Sequence, residues 1–322
     1  MIRLLLAVLV LTATSLTSTS IGAQDYPNRP VRIVVPLAPG GASDILGRLV
    51  AERLGALYKQ SFIVENRPGA SGHLGAQQVA KSPGDGYTLM IGTIGIHAAY
   101  ASYSKLGYDP AAELQPIMVL GESPNIVAVP ASSPYRTFGD FLADAKANPG
   151  KINYGSAGPG SSIHMVTALF EVMSGARLSH VPYKGSGPAL VDLMSGQIQV
   201  MFENFSSGKP QVRSGRLRVL AVTIDKRDPR IPDVPTIAES GVPGYAGSSW
   251  FTFAAPRSLP KDLVEKLNRD LTGALQAPDV VSRLDSLGVT FTPNSPAQAE
   301  AYFKSETVKW NRVIQATNLK LD

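Results

Sequence analysis

Two hydrophobic rhythms alternate along this chain. Short apolar runs at 31–36 (only Arg32 charged), 87–91, 152–156 and 180–183 read as strands. Each is followed by a loop of small residues. After three of these loops, apolar positions recur at helical spacing: Ile45, Leu46, Leu49, Val50 and Leu54; then Met165, Leu169, Val172 and Met173; then Leu190, Leu193 and Met194. The pattern predicts strand 31–36, helix 44–58, strand 61–65, a glycine turn at 69–72, helix 73–81 and strand 87–92. Apolar runs at 116–120 and 125–130, joined by Gly121-Glu122-Ser123-Pro124, read as the chain leaving one lobe for another. The scheme then repeats. Helices are expected at 137–147, 161–174, 187–195 and near 204–214, with strands at 152–156, 178–183, 198–202 and 217–223. A Pro- and Gly-rich connection over 227–247 leads back to strand 250–255, helices 260–276 and 278–287, strand 289–292 and helix 296–316. Alternation at this spacing implies βαβ units and a mostly parallel sheet. The lobes are built one–two–one: 24–122 with 249–322, and 123–248. Two crossings of this kind make a hinge.

Each loop forms part of a strand–loop–helix unit. The first turn of a helix leaves backbone N–H groups unpaired, with a positive dipole end, and so favours anions. In Ala38-Pro39-Gly40-Gly41-Ala42-Ser43-Asp44, the two glycines let a ligand oxygen approach the backbone, and Ser43 or Asp44 can cap the helix. Taken alone, that loop is equally a tight turn with a capped helix. Its recurrence shifts the reading: Gly92-Thr93-Ile94-Gly95, Ser156 through Gly160, Ser161 and Ser162, and Lys184-Gly185-Ser186-Gly187 have the same character. Four such exits are expected to converge on one small anion beyond the carboxyl ends of the strands.

Composition narrows the class. The chain has 322 residues, enough for two lobes, and 44% apolar with 17% charged residues argues for packed cores. A net charge of +5 without a basic, aromatic-interleaved stripe gives no case for nucleic acid. Residues 1–23, with Arg3, the apolar run 4–11 and Ile21-Gly22-Ala23, read as a secretory leader cleaved near Ala23, and an uncleaved anchor is the alternative. There is no cysteine, hence no disulfide framework and no lipid-modified N-terminal Cys.

Lys184 is the one evident cation in the loops, or a solvated turn lysine. Glu203 calls for an amine, hydroxyl or water at the far end of the site, or forms a hinge-side salt bridge. His164 is a candidate donor to the ligand or a packed histidine, and His73 and His97 read as turn residues. The competing reading is a hydrolase using the loops as an oxyanion hole, but no Gly-x-Ser-x-Gly elbow is present. A nucleotide-binding domain is disfavoured because 155–160 lacks the dinucleotide fingerprint.

Several stretches carry a resemblance: Tyr26-Pro27 with Arg29-Pro30, Val34-Val35-Pro36 into Pro39-Gly40-Gly41 and Asp44, Val64-Glu65-Asn66 with Pro68-Gly69-Ala70, and 83–89 (PGDGYTL). To these are added Asn153-Tyr154-Gly155-Ser156, His180-Val181-Pro182-Tyr183-Lys184-Gly185, 217–223 (LRVLAVT), Pro232-Asp233-Val234-Pro235-Thr236 and 241–245 (GVPGY). In order and over the whole mature chain, they resemble the extracytoplasmic solute receptors of tripartite tricarboxylate transporters, the Bug receptors. The resemblance implies an α/β periplasmic binding protein of type II (Venus-flytrap), two-lobed, with mixed, mostly parallel sheets and a hinge crossed twice. It implies no catalysis, no cofactor, no metal and a monomer in the periplasm. A small carboxylate would be held by loop 38–44 and closed upon by 156–162 and 184–187, then passed to membrane permease subunits. Thr93, His164 and Glu203 complete the expected set. Glu203 and Phe205-Ser206 depart from the family's usual Asp and Leu-Pro, at the distal end of the pocket.

Overall fold

A computed structural model describes residues 26–317, except 104, together with 319; the expected leader lies outside the described residues. The first half runs β1 (Val31–Val35), α1 (Ala42–Tyr58), β2 (Phe62–Asn66), a 3₁₀ turn (Ala70–Gly72), α2 (His73–Ala80), β3 (Thr88–Thr93), α3 (Ile94–His97) and α4 (Pro110–Glu113). A long strand, β4 (Leu114–Pro130), leads into α5 (Phe138–Ala147), β5 (Asn153–Ser156), α6 (Ser162–Ser174), β6 (Ser179–Pro182), α7 (Ser186–Met194), β7 (Met201–Asn204), α8 (Phe205–Arg213) and β8 (Leu217–Val222). β9 (Ser248–Pro256), α9 (Lys261–Leu275), α10 (Pro278–Ser286) and α11 (Pro296–Thr317) complete it.

β1 shows why its run is nearly all apolar. Val31, Ile33 and Val35 face a core with Leu46, Leu49 and Leu54 of α1 and Leu267 and Leu271 of α9. Val34 faces the other way, onto Ala76 and Val79 of α2. A strand covered on both faces has no polar side to show. The same holds in the second lobe. Val127 and Val129 of β4 meet Phe138, Phe141 and Phe170, while Ile126 and Ala128 meet Leu190, Leu193 and Phe205.

The principal sheet has the order β2-β1-β3-β9-β4-β7, with β8 also on β4, and β5 and β6 form a separate pair. Pairing is parallel at β1–β2, β1–β3 and β5–β6. It is antiparallel at β3–β9, β4–β9, β4–β7 and β4–β8. The sheet is therefore mixed, and the expected parallel majority gives way at its centre. The reason is that β4 and β9 are the outward and return crossings between lobes, so they run in opposite directions and pair along their length. Their register extends from Leu114↔Pro256 to Pro124↔Ser248.

That pairing corrects two expectations. Gly121-Glu122-Ser123-Pro124 does not break the chain into two runs, because β9 supplies ladder partners through it, with register shifts nearby. Residues 289–292 form no strand, only an isolated bridge between Thr290 and Glu122. Gly121, at φ +143°, packs so closely that an added Cβ would lie 2.7 Å from the Thr290 carbonyl oxygen.

The last segment divides its packing. Leu267, Leu271 and Val280 of α9 and α10 join the first-lobe core. Phe303, Trp310, Val313 and Ile314 of α11 join the core of α5 and α6 instead. Glu306 fixes this contact, accepting from Trp250 Nε1 at 2.7 Å and Trp310 Nε1 at 2.8 Å. His97 closes α3, buried and stacked on Phe303, and His73 opens α2, buried against the Tyr108 hydroxyl, so neither is a turn residue.

Candidate functional site

Helices begin directly at the ends of strands, and their first turns converge. α1 follows β1 through loop 36–41, α6 follows β5, α7 follows β6, and α8 starts at the residue after β7. The loops touch across the gap between lobes. An added Cβ on Gly41 would lie 2.7 Å from Ser186 Oγ, one on Gly187 2.2 Å from the Pro39 carbonyl, and one on Gly95 2.9 Å from the Gly160 carbonyl. Ala38 N–H donates to the Lys184 carbonyl at 2.9 Å, a backbone bond from one lobe to the other. Only glycine permits approach this close.

Between them lies a cavity of about 10 Å³, room for about one water. Its walls are Leu37, Ala38, Gly41, Ala42, Ser43 and Asp44 from the first lobe, Ala157, Ser162, Ser186 and Asn204 from the second, and Phe251 from β9. Among the described residues, the amides of Ala42, Ser43, Ser162 and Ser186 have no acceptor within the protein. No lysine or arginine lines the cavity. The site therefore offers neutral dipoles to an anion.

Comparison with known proteins now bears on the site. A family model described as "Tripartite tricarboxylate transporter family receptor" matches residues 46–319. The chain belongs to this receptor family. It is 33% identical over its full length to Protein BugT of Bordetella pertussis, covering 99% of that protein. Among solved structures it is similar to Rpa4515 of R. palustris with adipate, at 40% identity and TM-score 0.89, over 92% of this chain and 99% of that one. It is also similar to MatC of Rhodopseudomonas palustris with bound malate, at 32% identity and TM-score 0.85, over 90% and 100%.

The receptor's first loop is wired from within. Asp44 accepts from Arg48 Nη2 at 3.0 Å and Nε at 3.2 Å, from Gly40 N–H at 3.1 Å and from Asn66 Nδ2 at 3.1 Å. Asn66 also donates to the Leu37 carbonyl at 3.0 Å, tying both ends of the loop to β2. Burial pushes the Asp44 carboxyl up, but these bonds outweigh it and hold the group below its usual range. Asp44 thus shapes the loop, and no side chain caps α1. Gly40 takes φ +88°, which lets the chain turn back toward Asp44.

Ala38, Gly41, Ala42, Ser43, Asp44 and Ser186 of the expected set line the cavity; the others stand behind it or outside it. Thr93 pairs in register with Phe251 and is buried. Gly185 packs on Ala38. Ser161 caps α6, accepting from His164 N–H at 3.4 Å. His164 does not donate into the cavity by Nδ1, which accepts from Gly160 N–H at 2.8 Å. Its ring stacks on His180, centroids 4.0 Å apart, and burial lowers both pKa values, to about 3 and about 4, so the pair is neutral. Ser156 Oγ lies 2.6 Å from His180 Nε2, a contact that a hydrolase could use, but the serine is 0% exposed, bonded to Gly158 and absent from the cavity wall.

The Lys184 side chain is exposed and lines a separate groove of about 780 Å³ with Tyr103, Lys105 and Tyr183. Its carbonyl makes the backbone bond to Ala38, while its side chain lines a groove that also carries Gly69, Ala70 and Ser71 of the first lobe. A further cavity of about 740 Å³ lies along the middle of β4 and beside α11, away from the helix starts. Glu203 is fully buried behind Ser186 and Asn204. Ser207 Oγ donates to its Oε1, while Oε2 has no partner. It forms no salt bridge at the hinge. Burial raises its pKa to about 7, offset in part by the Ser207 hydrogen bond and the nearby polar groups of Ser186 and Asn204.

Leu37, Asn204 and Phe251 are cavity walls outside the expected loops, and Ala157 and Ser162 lie within the expected loop 156–162 without having been singled out. Ser162 and Asn204 adjoin expected residues, so the junctions were legible and the facing residue was not. Phe251 carries no local signal, since it reaches the site from the return crossing.

Proposed function

We propose that this receptor captures a small carboxylate-bearing solute in the periplasm, between lobes 24–122 with 249–322 and 123–248, and hands it to the permease of its transporter without chemical change. The observation that carries the reading is the convergence of unpaired helix-start amides on one cavity that no cation lines. Relatives whose solved structures hold adipate and malate support the choice of ligand class. Among the described residues, no helix is long and apolar enough to cross a membrane.

The solute's carboxylate sits at the start of α1, where the Ala42 and Ser43 amides meet it. A charge-assisted hydrogen bond contributes about 1.5–3 kcal/mol, and each helix end about 0.3–1 kcal/mol. A few together reach micromolar affinity, about −8 kcal/mol. With about 10 Å³ between the loops, entry requires their separation about the β4–β9 crossing. The Lys184 carbonyl occupies Ala38 N–H when the cleft is shut, and a ligand oxygen competes for it.

Thermal unfolding of the mature protein against mono- and dicarboxylates, amino acids, sugars and amines tests this. A carboxylate at a hundred times its Kd should add about 2.7 kcal/mol and raise Tm by roughly 3–5 °C. A shift with sugars or amines alone would overturn the reading. Turnover of an ester panel, abolished by substitution of Ser156 or His180, would revive the hydrolase.

A further inference from the structure

We propose that the junction of β7 and α8 is a donor-seeking pocket, which selects solutes bearing a hydroxyl, amino or protonated carboxyl group opposite the carboxylate held by the first loop. This rests on the receptor reading above and names the solute's other end.

Three buried side-chain oxygens on four consecutive residues lack partners: Glu203 Oε2, Asn204 Oδ1 and Ser206 Oγ. These residues are 0%, 5% and 2% exposed. Asn204 itself lines the cavity, together with Ser186 at the start of α7. Buried polar atoms are almost always paired, so an orphan amide oxygen on the cavity wall at Asn204, with two more directly behind it at Glu203 and Ser206, marks groups awaiting a ligand. The carboxylate oxygen can only accept while ionised, and the amide oxygen only accepts.

The charged groups around this junction are held by other partners: Arg230, over the Phe205 ring, is paired with Asp228. On α8, Lys209 is held by the Ser286 carbonyl and the Phe205 ring, and Arg213 lies at the far end of the helix. On α7, Asp192 is held by Tyr183, and on α1 Asp44 and Arg48 hold each other. The β4 residue opposite Glu203 is Ile126. A plain dicarboxylate would bring a second anion against acceptor oxygens, and it fits only if one proton is shared with Glu203. Burial places Glu203 near pH 7, so this proton uptake falls in an accessible range.

The test is calorimetry at pH 6 and pH 8 with matched probes: succinate against 4-hydroxybutyrate, and adipate against 6-hydroxyhexanoate. At pH 8 the hydroxy acid should bind at least tenfold tighter than its dicarboxylate partner. The dicarboxylate should gain at least tenfold on moving to pH 6, with buffer-dependent heats reporting uptake of about one proton. Glu203→Gln should remove the pH dependence and bring the two probes within threefold at pH 8. Dicarboxylates that bind equally at both pH values without proton uptake would overturn the proposal and leave the receptor reading standing. The wild-type heats decide this even if the variant fails to fold. Binding of neither acid class at either pH would overturn both.

Discussion

The two ends of the cleft are built in opposite ways. At the start of α1 the charged side chain is committed: Asp44 binds Arg48, Gly40 and Asn66, and unpaired main-chain amides are offered to the gap. At the start of α8 the side chains of Glu203, Asn204 and Ser206 each leave an oxygen unmatched. The first arrangement grips any carboxylate, because it is pre-organised by bonds that do not involve the ligand. The second reads what lies beyond the carboxylate, because its own hydrogen bonding is incomplete until something fits. On the proposed reading, general capture and particular choice fall to different lobes.

The largest expected effect tests the incomplete end. A carboxyl whose pKa rises from 4.5 unfolded to about 7 folded favours the fold fully below pH 4.5, and that stability fades as pH climbs through 7. The loss is about 3 kcal/mol across this window. Urea unfolding at pH 5 and pH 8 should show it in the wild type, and Glu203→Gln should lack it. The neutral His164–His180 stack acts in the opposite sense, giving up stability as pH falls below 6.5, so the variant-minus-wild-type difference is the readout. An unchanged slope in the variant would remove Glu203 from the account.

Next comes Gly41→Val, whose side chain would meet Ser186 Oγ across the closed cleft. Affinity for the best carboxylate should drop roughly a hundredfold, about 2.7 kcal/mol, while Tm without ligand stays within a few degrees. Retained affinity would mean that closure does not bring these loops together in solution. Asp44→Asn probes the committed end more gently. It weakens bonds to Arg48 and Gly40 and should reduce stability by about 2 kcal/mol and affinity by roughly tenfold, measured by chemical denaturation and calorimetry. Lys184→Ala should change affinity less than threefold at moderate salt, since the lysine's carbonyl makes the bond to Ala38 while its exposed side chain lines a groove separate from the cavity. A loss of tenfold or more would place that charge at the ligand after all.

Much of this molecule was legible from local pattern. Strand–glycine–helix units at β1–α1, β5–α6 and β6–α7 announce themselves through apolar runs and small residues, since those signals span only a dozen positions. Some readings were exchanged on folding. Asp44, His164 and Lys184 looked like ligand groups by type and place. In the fold Asp44 lines the cavity while bonded to Arg48, Gly40 and Asn66, His164 accepts from the Gly160 amide, and the Lys184 side chain is exposed, partnerships that only the folded neighbours reveal. The Gly-Glu-Ser-Pro stretch looked like a break and became ladder, because β9, more than a hundred residues on, supplied its partners.

What the order of residues determined by itself was the set of helix starts with bare amides. Backbone dipoles and glycine's missing Cβ are properties of a short segment wherever it lies. What only the tertiary structure decided was which of those starts face each other, that α11 packs with the second core, and that Glu203 is sealed away with an oxygen unmatched. Burial and pairing are set by distant chain brought close, and no local window contains that distance.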